Sequence, residues 1–177
     1  YPLSSAQERM WFLCQLNPES RAANNPGAMR VRCRRPLDRD RMFGGVEEVA
    51  RRHDILRTTF HDIGGRPFQR VRAELTPRRA WQDLRALAPA EREAAALRIA
   101  AEEGRQAFDL QNGPLLALRI LQLDDLEYML LVTTHHIVSD GWSNALFARE
   151  LSAIYDALEQ GGAMPALPPF QYIDHVQ

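Results

Sequence analysis

The apolar positions of this chain fall into runs of helix length and strand length that follow one another along the sequence. Met10, Leu13 and Cys14 recur at helical spacing, and Ser5-Ala6-Gln7-Glu8 ahead of them has the form of a capping box in which Glu8 reaches back to the Ser5 amide. That helix is expected to end near Asn17-Pro18. Residues 21–26 read as loop, and Ala28-Met29-Arg30-Val31-Arg32-Cys33 then alternates as a half-exposed strand does, with its arginines toward water. Asp38 is placed to cap a helix whose stripe is Met42, Val46, Val49 and Ala50, running to about His53; Gly44-Gly45 inside it points to close packing. From Arg52 to Phe60 the pattern changes to a β-branched run opened by Arg57. Gly64-Gly65 turns this strand into a partner through Phe68 and Val71.

The second half of the chain is more strongly patterned. Residues 77–83 give a weak signal, with Trp81 expected against a strand edge. Pro89 suits a helix start, Glu91 and Glu93 suit the positive end of its dipole, and Leu97, Ala101, Gly104 and Phe108 are expected to form its apolar face until Asn112-Gly113-Pro114 breaks it. Leu115–Leu123 and Tyr128–Thr134, joined by a turn at residues 124–127, are apolar at successive positions, which predicts central strands covered on both faces. Phe147, Leu151, Ile154, Tyr155 and Leu158 then mark a long helix ended by Gly161-Gly162. Pro165, Pro168 and Pro169 form a stiff linker, and residues 170–177 look like the start of another element.

Composition narrows the classes of function. The 22 basic residues, all arginine, nearly cancel 23 acidic ones, so no whole-molecule field recruits nucleic acid or an anionic membrane. Apolar runs broken by charge at strand length predict a soluble chain with no span. Cys14 and Cys33 lack ligand-like spacing, which favours reduced thiols used as core filler and a cytoplasmic location.

The chemistry concentrates at residues 134–143, Thr134 to Ser143, where the last apolar strand meets the last helix. If the strand stays extended, His135 and His136 point to opposite sides of the sheet, so only one can face a given pocket. Periodicity leaves open which one does. Adjacent histidines that diverge, with no third ligand at helical spacing, do not suit zinc, and no metal is expected. Ser139 and Ser143 lack the glycine frame of a nucleophilic elbow. Asp140-Gly141 reads as a turn whose glycine permits a backbone geometry, or an approach by a ligand, that a Cβ would block.

His135-His136-Ile137-Val138-Ser139-Asp140-Gly141 resembles the HHxxxDG signature of the condensation domains of nonribosomal peptide synthetases, within the chloramphenicol-acetyltransferase-like acyltransferases. Residues 3–12, from Leu3 to Phe12, resemble that family's first motif, and residues 52–60, from Arg52 to Phe60, its second. Gln171-Tyr172-Ile173-Asp174 resembles the opening of its fourth.

The resemblance implies an α+β fold, a two-layer α/β sandwich that is one half of a pseudo-dimeric domain, with residues 162–177 the linker and start of the crossover to a C-terminal half. It implies amide-bond formation between thioesters held on phosphopantetheine arms of upstream and downstream peptidyl carrier proteins, with a neighbouring adenylation domain and no cofactor bound by the chain itself. His136 would face the reacting groups and His135 the interior. Asp140 would pair with an arginine, for which Arg57 is the candidate, Gly141 would offer backbone room, and Trp142 and Ser143 would support the site. A coenzyme A-dependent acyltransferase and a non-catalytic recruitment domain are the alternatives. Retention of both histidines speaks against the second, and the first two motifs speak against the first.

Overall fold

In the computed structural model, which describes residues 1–176, the first helix α1 spans Ser5–Leu16. Its cap is Ser4 rather than Ser5, and Gln7 rather than Glu8 closes the box. The shift has a tertiary cause. With Ser4 as cap, Gln7 points inward and exchanges amide hydrogen bonds with the buried Gln69, at 3.2 and 3.1 Å.

Strand β1, Asn24–Arg32, follows, and then α2, Arg39–Arg52, capped by the Asp38 carboxylate on the Arg41 amide at 2.9 Å. A 3-10 turn over Asp54–Arg57 leads into the hairpin of β2, Thr58–Ile63, and β3, Arg66–Val71, so Arg57 ends the turn and Thr58 opens the strand. Strand β4 is Arg78–Asp83, helix α3 is Pro89–Gly104, β5 is Leu116–Gln122 and β6 is Glu127–His135. Helix α4, Gly141–Gln160, ends at Gly161 in the left-handed region, φ 65°. A proline-rich segment and a 3-10 turn over Tyr172–His175 complete the described chain; Gln177 lies outside the described residues.

The main sheet has the order β1-β6-β5-β4, antiparallel except for the β4–β5 pair. Helices α2 and α4 pack on one face, where Val46, Val49, Leu151 and Ile154 meet Leu118, Ile120, Tyr128 and Leu130. This layer pair is the principal sandwich. Gly45 lies against α4, since a Cβ there would be 3.0 Å from Leu151 Cδ1, whereas Gly44 has open space around it. Helix α3 screens part of the opposite face through Ala96 and Ile99 against Leu121, Leu123 and Leu131. The central strands β5 and β6 are thus covered on both sides, as their continuous apolar runs require.

The face of α3 differs from the sequence expectation. Leu97 is 59% exposed, and the inward positions are Ala96, Ile99 and Glu103. The carboxylate of Glu103 faces the Arg119 guanidinium of β5 at 2.6 Å, so a charge pair occupies a position that an apolar pattern cannot reveal. The helix stops at Gly104, short of Phe108 and of Asn112-Gly113-Pro114. Arg30 is not simply solvated: it bonds Glu127 at 2.5 Å and Glu93 at 3.0 Å, tying β1 to β6 and α3. Among the described residues, no helix is long and apolar enough to cross a membrane.

A third cluster joins the hairpin, α1 and the end of β6. Trp11, Phe60, Leu115, Ile137 and Val138 are buried together there, and this cluster fixes the loop after β6.

Candidate active site

The end of β6 is pinned from both sides. The His135 amide donates to the Leu115 carbonyl at 3.1 Å, and the His136 amide to the Ala23 carbonyl at 2.7 Å. Ile137 and Val138 bury their side chains, and the buried Gln7 amide reaches the Ile137 carbonyl at 3.5 Å. Asp140 then caps α4 through its carboxylate, which accepts from Ser143 N at 2.8 Å and Ser143 Oγ at 2.7 Å. Those bonds, the side-chain one foremost, hold the Asp140 carboxyl below its ordinary pKa.

The two histidines diverge as strand alternation predicts. His135 is 5% exposed and accepts the Ile137 amide on Nδ1 at 3.1 Å, which leaves the ring proton on Nε2, 3.7 Å from Cys14 Sγ. The Phe108 ring stands edge-on to it at 6.2 Å. Burial, with a smaller effect from the charge of His136, pushes its pKa down to about 4, so it is neutral at physiological pH. Both free thiols are only half-buried, and burial raises their pKa values, so they stay protonated.

His136 is exposed. Its Nδ1 lies 3.1 Å from the Ser139 carbonyl. A carbonyl can only accept, so Nδ1 carries a proton, and in the neutral ring this makes Nε2 the acceptor. The ring lines an open cleft of about 510 Å³ together with Gln7, Met10, Asp140, Ser143 and Tyr172. Tyr172 closes one side of this cleft by bonding the hydroxyl of Ser4, the α1 cap, at 2.8 Å.

Three other expected site residues sit differently. Arg57 does not meet Asp140. Its guanidinium is held by the Asp54 carboxylate at 2.6 Å and by the carbonyls of Ala50, Arg72 and Ala73, all nearer along the fold. Gly141 needs no special backbone, because its φ is not positive and a Cβ there would meet nothing within 4 Å; of the two uses expected for it, only approach by a ligand is left. Trp142 is 83% exposed and braces nothing among the described residues, whereas Ser143 does support the turn through Asp140. Among the described residues no group of three or more His, Cys, Asp or Glu side chains could hold a metal ion.

Sequence reasoning did not find the Ser139 carbonyl as the partner of His136, since a backbone acceptor has no residue signature. Tyr172 was within reach through the fourth-motif resemblance.

A mixed sheet whose central strand ends in one buried and one exposed histidine, followed by an aspartate-capped helix, defines a domain of the HHxxxDG kind. The model of the Condensation domain family matches residues 1–177, and the chain belongs to that family. It is 43% identical over 175 residues to phosphinothricin tripeptide synthetase PhsC of Streptomyces viridochromogenes, covering 98% of this chain and 16% of that protein. It is 37% identical over 174 residues to chondramide synthase cmdD of Chondromyces crocatus, covering 98% of this chain and 4% of that one. The starter condensation domain of rhizomide synthetase RzmA superposes with a TM-score of 0.90 at 25% identity, over 99% of this chain and 42% of that one. The chain therefore spans a small part of these synthetases and about two fifths of the solved condensation domain.

Proposed function

We propose that these residues are the N-terminal half of a condensation domain and supply the histidine that assists amide-bond formation between two carrier-bound thioesters. The observation that carries the proposal is the division between the two imidazoles: His135 is buried and neutral, while His136 offers a free Nε2 to the cleft. The α-amine of an aminoacyl thioester attacks the carbonyl carbon of the upstream acyl or peptidyl thioester. A C–N bond forms, the C–S bond breaks, and the proton lost by nitrogen passes to His136 Nε2 and then to the leaving thiolate. An α-amine has an ordinary pKa of about 7.7 to 8.0, so part of it is already neutral near pH 7. The imidazole therefore acts mainly by orienting the amine and taking the proton after attack, an effect of roughly 10²- to 10⁴-fold. Asp140 and Ser143 hold the turn that carries it.

The thioesters would arrive on the phosphopantetheine arms of an upstream and a downstream carrier protein, with an adenylation domain loading the latter. A second half would cover the cleft; the exposed apolar side chains of Phe12, Leu13 and Leu16 on α1 and of Trp142 on α4 suit that covering. Support for an acyl thioester comes from the rhizomide domain, a variant of which was captured with C8-CoA.

The test is peptide-bond formation by the intact synthetase with both carriers loaded. His136→Ala should lower the rate by about 10²-fold or more; an unchanged rate would sink the assignment.

A further inference from the structure

We infer that Thr134 and Ser139 form a hydroxyl clasp that sets the tautomer and aim of His136, making them positioning residues for the reaction. The inference rests on the role proposed above for His136.

Thr134 is the penultimate residue of β6, and Ser139 lies four residues past its end. Both are buried, at 3% and 9% exposure. Their hydroxyls bond each other in a very short contact, and neither has another side-chain or backbone partner among the described residues. Beside the pair is a half-open cavity of about 170 Å³ lined by Val49, Leu56, Val138 and Phe147 and also by the polar side chains of His53, Asn144 and Gln171. The two buried hydroxyls bond each other and nothing else among the described residues, and a hydrogen bond between buried groups resists opening because either group alone would be left without a partner.

The consequence travels through Ser139 to its own carbonyl. With its side chain fixed to the strand, Ser139 holds that carbonyl 3.1 Å from His136 Nδ1. The proton is thereby kept on Nδ1, and Nε2, the atom that must receive a proton from the amine, stays an acceptor. A carbonyl free to swing away would let the ring adopt the other tautomer, which presents an N–H to the amine and can accept nothing. The preceding residue makes the contrast visible: the Ile137 amide donates to His135 Nδ1, so His135 carries its proton on Nε2. One turn thus imposes opposite tautomers on adjacent imidazoles, and the clasp closes that turn on the His136 side.

The experiment uses the intact synthetase with loaded carriers and measures kcat, the KM for the acceptor carrier and the melting temperature. Thr134→Val and Ser139→Ala should each lower kcat by roughly 10- to 100-fold while KM stays within about twofold, the signature of misplaced chemistry rather than lost binding. Each single variant strands a buried hydroxyl; the double variant strands none, so its melting temperature should recover toward wild type while its kcat stays as low as either single one. Ser139→Thr keeps the hydroxyl and has cavity space for the methyl, and should bring kcat back to within about threefold of wild type. In protein labelled with nitrogen-15 at histidine, the His136 resonances should report Nδ1–H in the wild type and a shift toward Nε2–H in the double variant.

If kcat recovers together with the melting temperature in the double variant, the clasp is only structural and the inference is overturned. It is also overturned if the single variants keep full kcat while His136→Ala loses it. Full activity in His136→Ala would instead overturn the underlying function.

Discussion

Acid should weaken this fold through one imidazole. His135 is 5% exposed, and burial pushes its pKa from 6.5 down to about 4. In the unfolded chain the ring regains its ordinary value. Between the two values the unfolded state binds a proton that the folded state refuses, so the penalty is absent above the unfolded pKa and grows as pH falls toward 4. Going from about pH 7 to about pH 5, the loss is about 2 kcal/mol, or roughly 4 to 8 °C in melting temperature for a chain of this size. Asp109 and Asp140, whose pKa values are lowered, also weaken the fold in acid, so the wild type alone does not isolate the effect. The comparison is with His135→Asn, which can still accept the Ile137 amide but does not titrate. Followed by thermal unfolding across that range, the variant should start less stable and close on the wild type by about 2 kcal/mol as pH falls. Two curves that run parallel would refute a neutral, buried His135.

Other outcomes follow from the packing. Arg52 has a side chain only 2% exposed and bonds Glu48, Glu150 and the carbonyls of Pro165 and Ala166. Arg52→Met should cost about 3 kcal/mol, at the low end for a broken buried pair because His53 still bonds Glu150 at 2.5 Å; calorimetry gives the loss, and faster proteolysis within residues 162–170 locates it. Gly45→Val should destabilise by roughly 1 to 3 kcal/mol by wedging α2 from α4, while Gly44→Ala, one residue earlier, should stabilise by roughly 0.5 to 1 kcal/mol in the same denaturant titration. Asp140→Ala should cost about 1 kcal/mol as a lost helix cap, and Asp140→Asn only a few tenths. If capping is its structural role, a double-mutant cycle with Arg57→Ala should be additive within about 0.5 kcal/mol.

Much of this was legible because it is local. Asp38 and Gly161 mark the ends of α2 and α4 by chemistry that acts within a few residues, and the uninterrupted apolar runs of β5 and β6 announce strands with both faces covered. What was lost depended on partners distant in sequence. The register of α1 was decided by Gln69, 62 residues from Gln7, and the face of α3 by the pairing of Glu103 with Arg119. Strand β4 is weak in sequence because β5 supplies its partner groups. At the site, strand alternation correctly separated the two histidines. The expected Arg57–Asp140 pair fails because Asp54, three residues from Arg57, takes the guanidinium first.

The pinning of β6 limits how this site can respond to what enters it. His135 and His136 are tied by their amides to segments flanking β5 and β1, so the wall bearing the imidazole behaves as the fixed jaw of a vice. The opposite jaw, the strap that carries Tyr172, is anchored as well: Gln171 accepts from the Asp54 amide at 2.9 Å and donates to the Arg52 carbonyl at 3.0 Å, and Tyr172 bonds Ser4.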